Sequence, residues 1–320
     1  MDEKNNIKLD QFFTKPLEAK RLYEITSNHV NLKEYDIIYE PSVGANSFGA
    51  FFPQKKAVRM DIDPKQNVFW YDEKQKKITR IDRLDKKNKT KKVEIISMDI
   101  LSLGRTIDVI GFNTDKKIIA IGNPPFGKAS SLAVKFFNIC AKFCETIAFI
   151  IPRTFKRISV QNQLNLNFHL IYSEDLPYSN KDCIFEPAMS AKCCFQIWQK
   201  QSTKRKKVEL PKSHKDWEFL AFGPNITDTN HPRQGQPSAP SGASFALKAY
   251  GANCGEVVTK NLKDLSPKSW HWIKCDDPKK LISRFGQLDY SISKDTVRQD
   301  SIGRAELVKL YSDMFDTEEK

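Results

Sequence analysis

The stretch IIAIGNPPFGK, residues 118–128, ends an apolar run abruptly on Gly122, Asn123, Pro124, Pro125 and Phe126. Two consecutive prolines fix φ, hold the residue before them extended and remove two N–H donors, so the carbonyls of Asn123 and Pro124 can point into a cleft with set geometry. The Asn123 side-chain oxygen and the Pro124 carbonyl would then accept both hydrogens of one exocyclic NH2 group, and Phe126 would stack on the ring that carries it. Such a clamp turns the nitrogen lone pair toward an electrophile, which is catalysis by positioning more than by proton transfer. The competing reading is a plain structural turn. Three acids follow other apolar runs: Glu40 before the tight turn PSVGANSFG, Asp61 in DIDP, and Asp99 after VEIISM. An acid at a strand end can accept from a charged amine, from two ribose hydroxyls or from an adenine amine, and each can equally cap a helix.

These residues need a scaffold that brings several strand ends together. The runs YDIIYE, AVRMDID, VEIISMDI, KIIAIGN, TIAFIIP, FHLIYSEDL and CCFQIWQK are strand candidates. Between GNPPFG and TIAFIIP the apolar positions 132, 133, 136, 137, 140, 143 and 144 fit one helical face. Before residue 35, KPLEAKRLYEIT spaces Leu17, Leu22 and Ile25 helically, with Thr14 and Pro16 as start signals. Strands alternating with such crossovers predict an α/β fold with a doubly wound, mostly parallel sheet, whose ligand lies beyond the carboxyl ends of the strands. Residues 64–92 read as an excursion between two strands, with a small hairpin in VFWYDEKQKKITRI.

In this order the motifs resemble those of S-adenosylmethionine-dependent amino-methyltransferases, in particular the N6-adenine DNA methyltransferases of the gamma arrangement, over roughly residues 8–200. The resemblance implies a Rossmann-like methyltransferase sheet and S-adenosylmethionine as cofactor. QFFTKPLEAK resembles the opening motif that lines the methionine end of the cofactor, carried here by Phe13, Thr14 and Pro16. EPSVGANSF resembles the first cofactor motif, an acid followed by PSxGxGxF, with Glu40, Pro41, Ser42 and Gly44 in place and Asn46 where the second glycine stands. By the same resemblance Asp61 and Ile62 serve the ribose side, Asp99 and Ile100 serve the cofactor adenine, and Asn123, Pro124, Pro125 and Phe126 form the catalytic tetrapeptide. IFEPAMSAKCCFQIW, residues 184–198, resembles the later motif whose aromatic packs on the extruded base, which makes Phe185 the second face of a slot shared with Phe126.

The expected organisation is a catalytic domain over residues 1–200, a polar Pro-, Gly- and Ser-rich linker over 201–242, and a small mixed C-terminal region over 243–320. In the last, Lys248, Tyr250, Trp270, His271 and Trp272 suggest a target-recognition surface or, alternatively, a small packing domain. The formal charge of +13, with lysine blocks at 74–77, 86–92 and 204–207, points to a polyanionic partner. Seven cysteines with no CxxC pair suggest buried thiols in a reducing interior and no metal site. No apolar run is long enough to span a bilayer, and the opening MDEKNNIKLD lacks a secretory apolar core. A cytoplasmic location follows, or a nuclear one in a eukaryote. The expected activity is methylation of adenine N6 in DNA. The alternatives are the same reaction on RNA, methylation of a glutamine side-chain amide in protein, which the net charge opposes, and a silent cofactor-fold subunit that binds nucleic acid. Intact Asn123, Pro124, Pro125, Glu40 and Asp61 oppose the silent form.

Overall fold

The computed structural model describes residues 12–85, 91–105, 115–179 and 181–316; the opening MDEKNNIKLD and residues 86–90 of the basic block 86–92 lie outside them. The chain divides into two compact units, Met1–Lys207 and Val208–Lys320.

In the first unit seven strands form one sheet: β1 (Ile37–Glu40), β2 (Ala57–Asp61), β3 (Ile96–Ser97), β4 (Ile118–Gly122), β5 (Thr146–Pro152), β6 (Phe168–Asp175) and β7 (Cys193–Lys200). Their spatial order is 3-2-1-4-5-7-6. Strands β1 to β5 run parallel, and β7 runs antiparallel to both its neighbours, β5 and β6. This is the doubly wound, mostly parallel Rossmann-like sheet that the alternating runs imply, and each of the seven runs supplies one strand. Strands β1, β4 and β5 are buried at every residue, which is why they read as unbroken apolar runs rather than alternating ones.

Helix α1 (Pro16–His29) opens with Pro16 in its first turn and Lys15 at the N-cap, and buries Ala19, Leu22 and Thr26. Leu17 is 74% exposed, so the buried stripe lies one position round from the one its leucines suggest. Thr14, expected as a start signal, belongs instead to a two-residue ribbon in which Phe13–Thr14 pairs with Phe185–Glu186. Helix α2 (Ser131–Cys140) buries Ala133, Phe136, Phe137 and Cys140, the face its spacing predicts. A single turn, α3 (Ile158–Gln161), follows β5. The excursion after β2 contains the expected hairpin, Asn67–Asp72 against Lys77–Asp82, with Val68 opposite Ile81. It has a small core of its own, in which Val68, Ile81 and Val93 meet Trp70 and Ile95.

The second unit holds an antiparallel sheet of β8 (Glu218–Phe219), β9 (Phe245–Lys248), β10 (Val257–Val258) and β11 (Trp270–Lys274), in the order 8-11-9-10, with helices α4 (Pro278–Phe285) and α5 (Arg304–Phe315). Composition assigns residues 201–242 to a linker, but Trp217 is buried against Phe285 and Tyr311 and β8 pairs with β11, so the second unit starts at Val208. Two aromatic residues in a polar stretch outweigh its average polarity. All seven cysteines are free thiols, five of them buried. Among the described residues no helix is long and apolar enough to cross a membrane.

Candidate active site at the sheet's switch point

The strand order reverses between β1 and β4, and a crevice opens beyond the carboxyl ends of strands at such a point. Glu40 ends β1 and Gly122 ends β4. A Cβ on Gly122 would stand 3.3 Å from Glu40 Cγ, so the glycine leaves the space in which the acid turns inward. The next residue, Asn123, has a polarised side chain: Nδ2 donates to the Phe12 carbonyl at 3.0 Å, while Oδ1 is buried without a hydrogen-bond partner. Because a carbonyl accepts only, it dictates which end of the amide faces it and leaves the oxygen turned the other way. The Asn123 main-chain carbonyl, expected to point into the cleft, accepts instead from Ser42 Oγ at 2.9 Å. The second acceptor of an amine clamp therefore falls to the Pro124 carbonyl alone. Pro124 is buried and Pro125 and Phe126 half-buried. The Phe126 carbonyl accepts from the N–H groups of Leu132 and Ala133 at the start of α2, which anchors the turn to a rigid element.

The turn after β1 is held by β2. Asp61, 6% exposed, accepts from the Gly44 N–H through Oδ2 at 2.7 Å and from the Asp63 N–H through Oδ1 at 2.8 Å. Gly44 has a φ of 52°, and a Cβ there would lie 2.7 Å from the Phe13 ring, so glycine is required both by conformation and by the close approach of that ring. Ser47 Oγ donates to the Thr14 carbonyl at 2.6 Å, which ties the turn to the N-terminal ribbon. Pro41 is buried beside them, and Thr14 Oγ1 is buried without a partner.

Glu40 is 2% exposed and its Oε2 has no hydrogen-bond partner. Burial pushes its carboxyl well above the usual range; the Arg59 guanidinium and the Gly49 N–H pull it back, and Asp61 adds to the rise. Arg59 stands directly across from Glu40 in the β1–β2 register and holds the turn by donating to Asn46 Oδ1 at 3.0 Å and to the Gly49 carbonyl at 2.7 Å. Three buried oxygens without partners, on Thr14, Glu40 and Asn123, thus belong to segments hydrogen-bonded to one another. Buried polar atoms are otherwise nearly always satisfied, so this set suits a ligand that brings its own donors. A cationic amine fits the carboxylate and a neutral NH2 fits the amide oxygen.

Other predicted residues lie farther out. Asp99 Oδ1 accepts from the Leu101 N–H at 2.9 Å, which is the capping role, and Ile100 is packed in the core with Tyr39 and Met60. Ile62 is 58% exposed and Pro16 is half-buried at the start of α1. Phe126 and Phe185 do meet, but edge to face, with centroids 6.4 Å apart and planes at 75°, and Phe185 is 2% exposed. These rings do not form the parallel slot expected of them, because Phe185 is held in the ribbon opposite Thr14. In the second unit Trp270, His271 and Trp272 are buried, with Trp272 Nε1 donating to the Pro267 carbonyl at 3.0 Å. They pack the sheet rather than line a recognition surface; Tyr250, 48% exposed, does face solvent.

Sequence reasoning missed Phe12, Arg59 and Ser47. An arginine inside the apolar run AVRMD was a usable signal, since a buried guanidinium must find acceptors. The Phe12 contribution is a main-chain carbonyl and leaves no mark in residue type.

The chain matches no protein-family model and no curated protein. Among solved structures it is similar to one described as a candidate RNA methyltransferase from Pyrococcus horikoshii, at 14% identity over 62% of this chain and 89% of that one, with a TM-score of 0.39. It is also similar to the 23S rRNA methyltransferase ErmE, at 13% identity over 60% and 71% of the two chains and a TM-score of 0.37. A Thermoplasma acidophilum protein is covered over its full length, 100%, by 63% of this chain at 14% identity and a TM-score of 0.36.

Proposed function

We propose that this chain transfers a methyl group from S-adenosylmethionine to the exocyclic N6 amine of adenine in DNA. The observation that carries the reading is the orphaned Asn123 Oδ1 at the switch point, set by the Phe12 carbonyl and followed by two prolines. When bound, S-adenosylmethionine supplies an electrophilic methyl carbon on a sulfonium centre. Asn123 Oδ1 and the Pro124 carbonyl accept the two hydrogens of the adenine amine and hold its lone pair along the line of attack. The donor would supply the methyl group and keep the S–C bonding electrons, and the amine held by Asn123 Oδ1 and the Pro124 carbonyl would give up its surplus proton to water. Glu40 Oε2 takes the cationic amine at the methionine end, and Asp61, which already fixes Gly44, keeps lone pairs for ribose hydroxyls. Phe126 offers the base a ring at the mouth. The charge of +13 supports a nucleic-acid substrate.

The test is transfer of labelled methyl from the donor to separate DNA, RNA and protein pools, with the product nucleoside identified. N6-methyladenine in DNA is expected. Asn123→Ala should lower kcat by at least about 100-fold while donor binding changes little, because the side chain holds the amine and not the donor. Label in RNA alone would move the substrate, and label in protein alone would refute the nucleic-acid reading.

A further inference from the structure

Asn46 occupies a left-handed conformation, φ 63°, that glycine adopts freely and that asparagine tolerates better than most side chains. Its side chain is completely buried and both ends are engaged. Oδ1 accepts from Arg59 Nε at 3.0 Å, and Nδ2 donates to the Phe69 carbonyl at 2.8 Å. Phe69 returns a second bond, its N–H donating to the Ala45 carbonyl at 2.9 Å. The first strand of the hairpin 67–82 is therefore joined to the turn that carries Gly44. On the hairpin's other strand the Arg80 guanidinium lies 4.7 Å from the Phe69 ring centroid and reaches Glu186 at 4.0 Å, and Glu186 pairs with Phe13. Rings reinforce the junction, with Phe51 and Tyr71 centroids 5.0 Å apart. Gly49 keeps the knot compact: a Cβ there would collide with Asn46 Oδ1 and stand 2.8 Å from both Arg59 Nε and Glu40 Oε2.

We infer that Asn46 is a positioning residue that locks the hairpin 67–82 to the cofactor turn, so that the hairpin's hold on the turn sets affinity for the cofactor and cofactor binding is felt along the hairpin. The inference rests on the cofactor reading above. Asn46→Gly keeps the backbone conformation and deletes both side-chain bonds. Calorimetric titration with S-adenosylhomocysteine should show about tenfold weaker binding, and initial rates about a tenfold higher KM for the methyl donor, with kcat unchanged. S-adenosylhomocysteine should also slow hydrogen exchange over residues 67–82 in the wild type and not in the variant. A lower melting temperature with unchanged KM and unchanged protection would overturn the inference and leave Asn46 a structural residue only. If Asn46→Gly does not fold, Asn46→Asp answers the same question, since it keeps the bond from Arg59 and turns a carboxylate oxygen toward the Phe69 carbonyl. A wild type that binds no S-adenosylhomocysteine overturns the cofactor reading, and this inference with it; normal wild-type binding matched by Asn46→Gly overturns the inference alone.

Discussion

At the scale of single residues the site depends on buried oxygens whose partners are missing, and Glu40 has the sharpest consequence. Under the proposed function a proton and a cationic amine compete for its carboxylate. Burial holds the carboxyl protonated to higher pH than usual, so below that raised value binding the amine releases a proton. Cofactor affinity should therefore fall as pH falls through the raised Glu40 value. Titrating S-adenosylhomocysteine in buffers of different ionisation enthalpy measures the released proton directly; Glu40→Gln should bind more weakly and lose most of the pH dependence. An affinity that is flat with pH and proton-neutral would place the amine elsewhere. Much of the candidate site was legible in residue types: Asn123, Pro124, Glu40 and Gly44 stand out because few other residues combine their polarity or backbone conformation at a strand end. The orientation of the Asn123 amide was not legible, since it is imposed by a main-chain atom.

At the scale of elements, β11 shows how a strand can mislead. Alternation puts Trp270 and Trp272 on one face and His271 on the other, and a half-exposed strand with that content would make a binding surface. The strand is in fact covered on both sides: Trp270 and Trp272 pack with Ala246, while Ile273 joins Phe245, Leu247 and the residues of α4 and α5. His271 is caught in this burial, its Nε2 hydrogen-bonded to the Ile302 carbonyl at 2.9 Å. Loss of solvent depresses its pKa from 6.5 to about 4. The unfolded chain thus binds more protons than the folded one between those values. The stability this confers is complete above the unfolded pKa and is lost as pH falls from about 6.5 toward about 4, to the extent of roughly 3 kcal/mol. Denaturant titrations followed by tryptophan fluorescence at neutral and acid pH should show the drop, and His271→Gln should reduce it. Equal pH slopes in wild type and variant would assign acid lability to other groups. In the first unit, by contrast, all seven strands could be read, and β1, β4 and β5 most plainly, because strands buried on both faces announce themselves as continuous apolar runs.

At the scale of the whole molecule the excess of positive charge has a thermodynamic signature. A protein that neutralises several phosphates releases their counterions, so log K for an oligonucleotide should fall linearly with log salt, with a slope of about −0.9 per phosphate contacted on duplex DNA. Fluorescence anisotropy between about 50 and about 200 mM salt measures it, and a flat line would favour a protein substrate. The second unit begins at Val208, inside a stretch that composition reads as a spacer, because Trp217 and β8 pack into that unit's core and sheet. The ribbon between Phe13–Thr14 and Phe185–Glu186 joins segments about 170 residues apart in the chain. A loop of that length closes late, because its ends gain nothing until the elements between them are compact. During synthesis the first residues leave the ribosome long before their partners exist. Phe12 can orient the Asn123 amide only after this ribbon has formed, so under the proposed function a nascent or half-folded chain holds its amine clamp unset until the last step of its assembly.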